Sequence, residues 1–100
     1  MPTPLKEVYR EYLASDLWKQ IRERVFKRDW HLCYRCGEWA TQVHHRNYRK
    51  RTLDGKDLKA LVSLCAACHL FISRKRNGKP RKPAETERLL HIRPWGSSIR

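Results

Sequence analysis

The stretch that decides the fold runs from Cys33 to His69 and reads CYRCGEWATQVHHRNYRKRTLDGKDLKALVSLCAACH. It begins and ends with Cys-x-x-Cys turns, and the twenty-eight residues between them are enough to go out and back as a hairpin. Each turn can present two thiolates to one ion, which is the ligand set of a tetrahedral zinc site. We therefore predict a structural Zn²⁺ bound by four thiolates, from Cys33, Cys36, Cys65 and Cys68. Two disulfides or four buried free thiols are the alternative.

The first thirteen residues argue against disulfides. They read MPTPLKEVYREYL, without an apolar signal segment, so we expect a cytoplasmic protein of a prokaryote or of a phage-infected host, whose thiols stay reduced. One hundred residues make one small domain with a modest core, in which a bound metal adds useful stability. We predict a single domain over residues 1–100, with no internal repeat.

The positive charge is concentrated in the middle of the chain. Residues 44–82 carry twelve Lys and Arg against two Asp, a net +10, whereas residues 1–43 carry +2 and residues 83–100 carry +1. A polyanion is the natural partner of such a segment. Nucleic acid is favoured over a membrane surface, because the segment lacks a long apolar helical face. A merely solubilising basic surface is the alternative.

Helical patterns dominate the first third of the chain. We predict a short helix over residues 5–13 and a second one that Ser15 caps and that continues to about Arg28. Gly37, directly after the first cysteine pair, provides the backbone freedom that a tight metal turn needs. Apolar residues recur at helical spacing in the second helix and predict a buried stripe of Leu17, Trp18, Ile21 and Val25.

Strand and helix signals alternate in the remaining two-thirds of the chain, which indicates an α+β fold. Trp39 to Tyr48 has the β-branched and aromatic content of a strand and precedes a basic loop with a turn at Asp54-Gly55. Leu61 to Leu64 reads as the returning strand, and Ala66 to Lys75 as a helix that Asn77-Gly78 and two prolines end. A last helix is predicted near residues 84–91.

This order of elements resembles the HNH endonucleases and their ββα-metal, or His-Me finger, fold. The resemblance rests on Val43-His44-His45, on the run LVSLCAACH of residues 61–69, and on the cysteine pair upstream. The lead-in Tyr12-Leu13-x-Ser15-x-x-Trp18 is similar to that of small phage and bacterial members. The resemblance covers residues 9–76 and leaves residues 77–100 as a basic C-terminal extension.

The resemblance implies different roles for the histidines. Neighbouring residues of a strand point to opposite sides, so His44 and His45 are expected to do different work. By resemblance, His45 is the general base, and His44 and His69 bind a catalytic divalent cation: Mg²⁺, Mn²⁺, Ni²⁺ or Zn²⁺. The implied reaction hydrolyses a DNA phosphodiester to 5′-phosphate and 3′-hydroxyl ends. His31 and His91 lack such a context and are expected to be structural.

The sequence departs from the family pattern at two positions. Ala60 stands where the middle Asn of the family name usually braces the loop and orients the base. Asn47 and Asp57 are nearby polar residues, although neither stands at the matching position. Ser73 replaces a further His ligand of some relatives, so we expect more water ligands on the ion.

Contact with DNA is expected from basic side chains, which position a duplex through its phosphates and do not read its sequence. The predicted contacts are Arg46, Arg49, Lys50, Arg51, Arg74, Lys75 and Arg76. The resemblance further implies phage or restriction proteins as partners, and the lack of a long apolar helical face in the basic segment argues against a membrane. The alternative function is a non-catalytic, zinc-bound DNA-binding protein that retains the nuclease scaffold.

Overall fold

A computed structural model describes residues 5–94 of the chain. It is a small α+β structure with a two-stranded antiparallel sheet and five helices in its described part. In chain order the elements are α1 (Leu5–Leu13), α2 (Asp16–Arg28), β1 (Gln42–His45), α3 (Lys50–Leu53), β2 (Leu61–Leu64), α4 (Ala66–Ser73) and α5 (Pro83–Leu90).

The sheet separates two hydrophobic clusters. β1 pairs with β2 so that His45 lies opposite Leu61 and His44 opposite Val62. Successive residues of a strand face opposite sides, so Leu61 packs toward α2 and Val62 toward α4. The α2-side cluster comprises Trp18, Ile21, Val25, Phe26, Ala40, Val43 and Leu61. The cysteine-side cluster comprises Cys33, Val62, Leu64, Cys68, Ile72 and Leu90.

The structure of α2 confirms most of what its sequence predicts. Ser15 has an extended backbone, and its hydroxyl oxygen accepts a hydrogen bond from the Trp18 N–H (3.1 Å), as an N-cap does. Trp18, Ile21 and Val25 are buried as predicted. The prediction for Leu17 is wrong: it is 45% exposed, and the fourth buried residue of the helix is Phe26.

Several boundaries differ from the prediction. β1 has only four residues, and the basic loop contains the helical turn α3, which sequence patterns did not indicate. Gly37 and Gly55 both have positive φ, and at Gly55 a Cβ would lie 2.8 Å from Ile21 Cγ1, so this turn excludes larger residues. α4 ends at Ser73, two residues before the predicted end, because the backbone of Arg74 is extended and forms a β-bridge with Pro80.

The hydrophobic core continues beyond residue 76. Leu90, in α5, is 1% exposed and belongs to the cysteine-side cluster, so α5 packs on the domain rather than trailing from it. The guanidinium of the buried Arg35 holds the end of this helix, since its Nε donates to the carbonyl oxygens of Leu89 (3.0 Å) and Ile92 (3.1 Å). Residues 95–100, the last part of the predicted basic extension, lie outside the described residues.

Candidate metal centre and histidine pocket

The four cysteines converge on one point between the sheet and α4. Their sulfur atoms all lie within 4.8 Å of one another, and all four thiols are free. In the described part of the chain, no other group of three or more Cys, His, Asp or Glu ligand atoms comes together as closely. The first pair sits on the turn after α2, and Cys65 is the N-cap of α4. Four cysteines are therefore positioned to bind a metal ion.

The geometry and chemistry of this sulfur cluster fit a tetrahedral ion. Sulfurs bound to one zinc at about 2.3 Å lie about 3.8 Å apart, and the Sγ atoms of Cys36 and Cys65 are 3.6 Å apart. Burial opposes ionisation of Cys33, but hydrogen bonds from backbone N–H groups outweigh it and lower the Cys33 pKa. Burial and neighbouring thiols raise the pKa of Cys68. Four thiols this close cannot all ionise without a cation between them.

His44 and His69 face each other on the α4 side of the sheet. His44 lies at the end of β1, and His69 lies one residue after Cys68 in the first turn of α4. Their ring centroids are 5.5 Å apart, with 64° between the ring planes. Burial, followed by the nearby His69 and His45, lowers the pKa of His44 to about 4, and burial also lowers the His69 pKa. Both rings are therefore neutral at pH 7, with nitrogen lone pairs available to a cation.

His45 lies on the opposite side of the sheet, against α2. Its ring stacks on Trp18, with centroids 4.8 Å apart, and on Tyr48, with centroids 5.2 Å apart. The residue is only 5% exposed, and burial, with a smaller effect from His69, lowers the His45 pKa to about 4. The ring is therefore neutral at pH 7 and keeps a nitrogen lone pair.

All three histidines line one open pocket of about 790 Å³. Ala60 and Ser73, at the two positions that depart from the family pattern, also line it. The other polar and charged residues that line the pocket are Arg46, Asn47, Arg49, Asp57, Lys59, Arg81, Thr86 and Glu87.

Glu87 is a pocket residue that sequence patterns did not reveal. Its carboxylate accepts two hydrogen bonds from Arg46, at 3.1 Å to Nε and 2.6 Å to Nη2, and lies 2.8 Å from His91 Nε2. His91 Nδ1 lies 2.9 Å from the Tyr34 hydroxyl, so a hydrogen-bonded chain connects the cysteine turn to the pocket. The helical spacing of Glu87 and His91 was visible in the sequence, but the contact with Arg46, forty-one residues away, was not.

The remaining basic residues fall into two groups. Arg49 lines the histidine pocket, and the exposed Lys50 and Arg51 follow it in α3. The other group lies beside an apolar groove formed by Ala67, Leu70 and Phe71 of α4, and consists of the exposed Arg74, Lys75 and Arg76. Arg49 and the second group thus line different hollows. Arg81 lines both hollows and is held by Glu85 (3.3 Å) and by the Phe71 carbonyl oxygen (2.9 Å).

Asn47 braces the loop that follows the histidines. Its side-chain oxygen accepts hydrogen bonds from the Arg49 backbone N–H (3.1 Å) and the Thr52 hydroxyl (2.8 Å). The backbone N–H of Arg46 donates to the Ala60 carbonyl oxygen (2.7 Å), so the loop is tied to β2 without a side chain at position 60. Asp57 instead accepts from the backbone of Lys59 in its own turn.

His31 has a structural environment. Its ring lies between Phe26 and Trp39, with centroids 4.3 and 4.1 Å away, and its Nδ1 is 3.0 Å from the Ala40 carbonyl oxygen. His31 and Trp30 both have positive φ, a conformation that non-glycine residues rarely adopt. This stack therefore holds the tight turn before the first cysteine pair.

No protein-family model, curated protein or solved structure matches this chain. Among the helices of the described residues, none has the length and apolar character needed to cross a membrane.

Proposed function

We propose that the protein is a metal-dependent endonuclease of the HNH type, with a ββα-metal domain formed by β1, β2 and α4 around a structural zinc. The observation that carries the proposal is the placement of His44 and His69, whose rings face each other 5.5 Å apart and share a pocket with His45. The cysteine cluster supports this placement, because Cys65 and Cys68 fix the first turn of α4 and with it His69.

The two imidazoles suit one divalent cation. A ring nitrogen binds a metal at about 2.0–2.1 Å, so two rings that share an ion have centroids about 5 Å apart, close to the separation here. Such an ion, when bound, neutralises charge on the scissile phosphate and on the leaving oxygen. Among residues 5–94 only His44 and His69 meet there as ligands, so water and phosphate oxygens complete its coordination, which agrees with Ser73 at the position of a third ligand.

His45 supplies the base in this scheme. Its neutral imidazole takes a proton from a water molecule as the water oxygen forms a bond to phosphorus. The bond between phosphorus and the 3′ oxygen breaks, that oxygen takes a proton from solvent, and the products carry a 5′-phosphate and a 3′-hydroxyl. Arg49 and Lys59 at the pocket rim attract the phosphates of the substrate, duplex DNA read with low sequence specificity.

The test is nicking of supercoiled plasmid by zinc-loaded protein, without further metal and with Mg²⁺, Mn²⁺ or Ni²⁺. His45→Ala should lower the cleavage rate by about 10² or more with little change in DNA affinity, since it removes a proton acceptor and not a phosphate contact. His44→Ala and His69→Ala should raise the metal concentration needed for half-maximal rate. If all three variants nick as fast as the parent protein, the active-site assignment is wrong.

A non-catalytic DNA-binding protein on the same scaffold is the second candidate. The burial of His45 favours it, because water must reach that ring for hydrolysis, and so does Ala60 in place of the usual Asn. This alternative predicts salt-sensitive DNA binding, no cleavage with any of the three metals, and unchanged binding after His45→Ala. Plasmid nicking that depends on His45 excludes it.

A further inference from the structure

The ring of His45 is enclosed by aromatic side chains from three parts of the chain. Trp18 and Tyr48 stack on it, and the rings of Tyr9 and Tyr12 meet it edge-on at 5.8 and 6.0 Å. With 5% of the residue exposed, the imidazole has little room to rotate. The surroundings of each ring nitrogen therefore decide what that nitrogen can do.

The two nitrogens of His45 have different surroundings. Nδ1 lies 3.2 Å from the hydroxyl oxygen of Tyr9, in α1. Nε2 is buried and has no hydrogen-bond partner among residues 5–94. A neutral imidazole carries its proton on one nitrogen and a lone pair on the other, and only the lone pair can accept a proton from water. Because Nδ1 already has Tyr9 as its hydrogen-bond partner, Nε2 is the nitrogen that would have to accept the proton of a water molecule.

The direction of the hydrogen bond between Tyr9 and Nδ1 then determines whether His45 can act. If the Nδ1–H group donates to Tyr9, Nε2 has the lone pair that a base needs. If the Tyr9 hydroxyl donates, Nε2 carries the proton and cannot accept another. Burial, with the neighbouring Tyr48 adding to it, raises the pKa of Tyr9, so its hydroxyl stays neutral. A neutral hydroxyl can accept from His45 while it turns its own proton elsewhere.

We propose that Tyr9 is the positioning residue of His45: its hydroxyl oxygen accepts the Nδ1–H hydrogen bond and thereby holds the imidazole in the tautomer whose Nε2 carries the lone pair that a base needs. The proposal rests on the proposed function, because it presumes that His45 is the base. It assigns α1, which precedes the metal-binding part of the chain, a direct role in the active site. It also explains how the base can be oriented when position 60 is an alanine, without a polar side chain.

Tyr12 provides a matched control one helical turn away. It packs against the same imidazole, yet its hydroxyl is buried without a hydrogen-bond partner in the described structure. Tyr9→Phe and Tyr12→Phe therefore remove the same atom from neighbouring rings, and only the first removes a hydrogen bond to His45. Removal of an unpartnered buried hydroxyl should leave the melting temperature of Tyr12→Phe equal to that of the parent or higher.

The first measurement is the tautomer, read from ¹⁵N chemical shifts and long-range ¹H–¹⁵N couplings of the His45 ring in the zinc-loaded full chain. We expect the proton on Nδ1 in the parent and in Tyr12→Phe, and a mixture of tautomers in Tyr9→Phe. A parent protein with the proton on Nε2, or an unchanged tautomer in Tyr9→Phe, overturns the proposal. This readout does not depend on nuclease activity.

The second measurement is plasmid cleavage with saturating divalent metal. Loss of an orienting partner typically lowers activity about 10- to 100-fold. We expect that loss in kcat for Tyr9→Phe with an unchanged KM for DNA, and no loss for Tyr12→Phe. In a His45→Ala background, Tyr9→Phe should cause no further loss. Equal losses in the two Phe variants, or an additional loss in the His45→Ala background, refute the positioning role.

The two readouts separate this inference from the proposed function. A parent protein that cleaves no DNA but has a Tyr9-dependent tautomer refutes the nuclease proposal and leaves the Tyr9–His45 assignment standing. Cleavage that requires His45 but is indifferent to Tyr9→Phe refutes the inference and leaves the nuclease proposal standing.

Discussion

Replacement of Cys68 by alanine should unfold the domain together with its metal site. Cys68 is 5% exposed and lies in the cysteine-side cluster, where its sulfur helps to connect α4 to the first cysteine turn. Structural zinc contributes about 10–16 kcal/mol at pH 7, whereas the free energy of unfolding of a domain is about 5–15 kcal/mol. Loss of one of the four thiolates should therefore remove more zinc-binding free energy than the free energy of unfolding of the whole domain, so that the variant is unfolded.

The assay combines elemental analysis with thermal unfolding followed by circular dichroism. The parent protein should contain about one zinc per chain and unfold cooperatively, and a chelator should lower its melting temperature steeply. Cys68→Ala should contain less zinc and show no cooperative transition at 25 °C or above. His69→Ala is the matched control, because it changes the next residue of the same helical turn, which the cysteine cluster does not include.

Three results would refute this reasoning. If Cys68→Ala retained one zinc and the parental melting temperature, the metal would not be bound by the four thiolates. If a chelator removed all the metal without a change in melting temperature, the ion would not stabilise the fold. Two disulfides found by mass spectrometry in protein purified from cytosol would end the zinc prediction altogether.

Two further predictions concern charge. Replacement of Arg74, Lys75 and Arg76 by glutamine should weaken DNA binding almost equally across unrelated duplex sequences. It should also reduce the slope of log affinity against log salt concentration by about 0.9 for each phosphate that the variant no longer neutralises. A loss of affinity for one sequence only would show that these residues read bases, and an affinity that does not depend on salt would refute the electrostatic interpretation. Glu87→Gln should raise DNA affinity several-fold in fluorescence anisotropy, because it frees the Arg46 guanidinium for phosphate. Its effect on stability should be at most about 1 kcal/mol, since both partners of this ion pair are more than one-third exposed. Hydrogen bonds from Arg46 and then His91 lower the pKa of Glu87 to about 2, so that stabilisation is fully present above the ordinary value of 4.5 and is lost only as the pH falls toward 2. If Glu87→Gln weakened DNA binding as Arg46→Gln should, Glu87 would instead be holding Arg46 in place for the phosphate.

Local patterns were sufficient to predict most elements of this fold. The N-cap at Ser15, the limits of β2 and the first residue of α4 all agree with the structure, because capping, a short apolar run and Cys-x-x-Cys spacing act over a few residues. The convergence of the four cysteines was also predictable, since the length of the hairpin between the two turns restricts where they can meet. Leu17 was predicted wrongly, because helical spacing alone does not show which edge of an apolar stripe meets the sheet.

The surroundings of the candidate base were decided by tertiary structure alone. The Tyr9 hydroxyl reaches His45 across thirty-six residues, and the Glu87 carboxylate reaches Arg46 across forty-one. No local periodicity encodes such contacts. They depend on how α1 packs beside His45 of β1 and on how α5 packs against α4. The same packing buries Leu90, which the family resemblance had left in a C-terminal extension. The sequence by itself thus determined which side chains are able to bind metals or accept protons, and packing over long separations determined which partners orient and neutralise them.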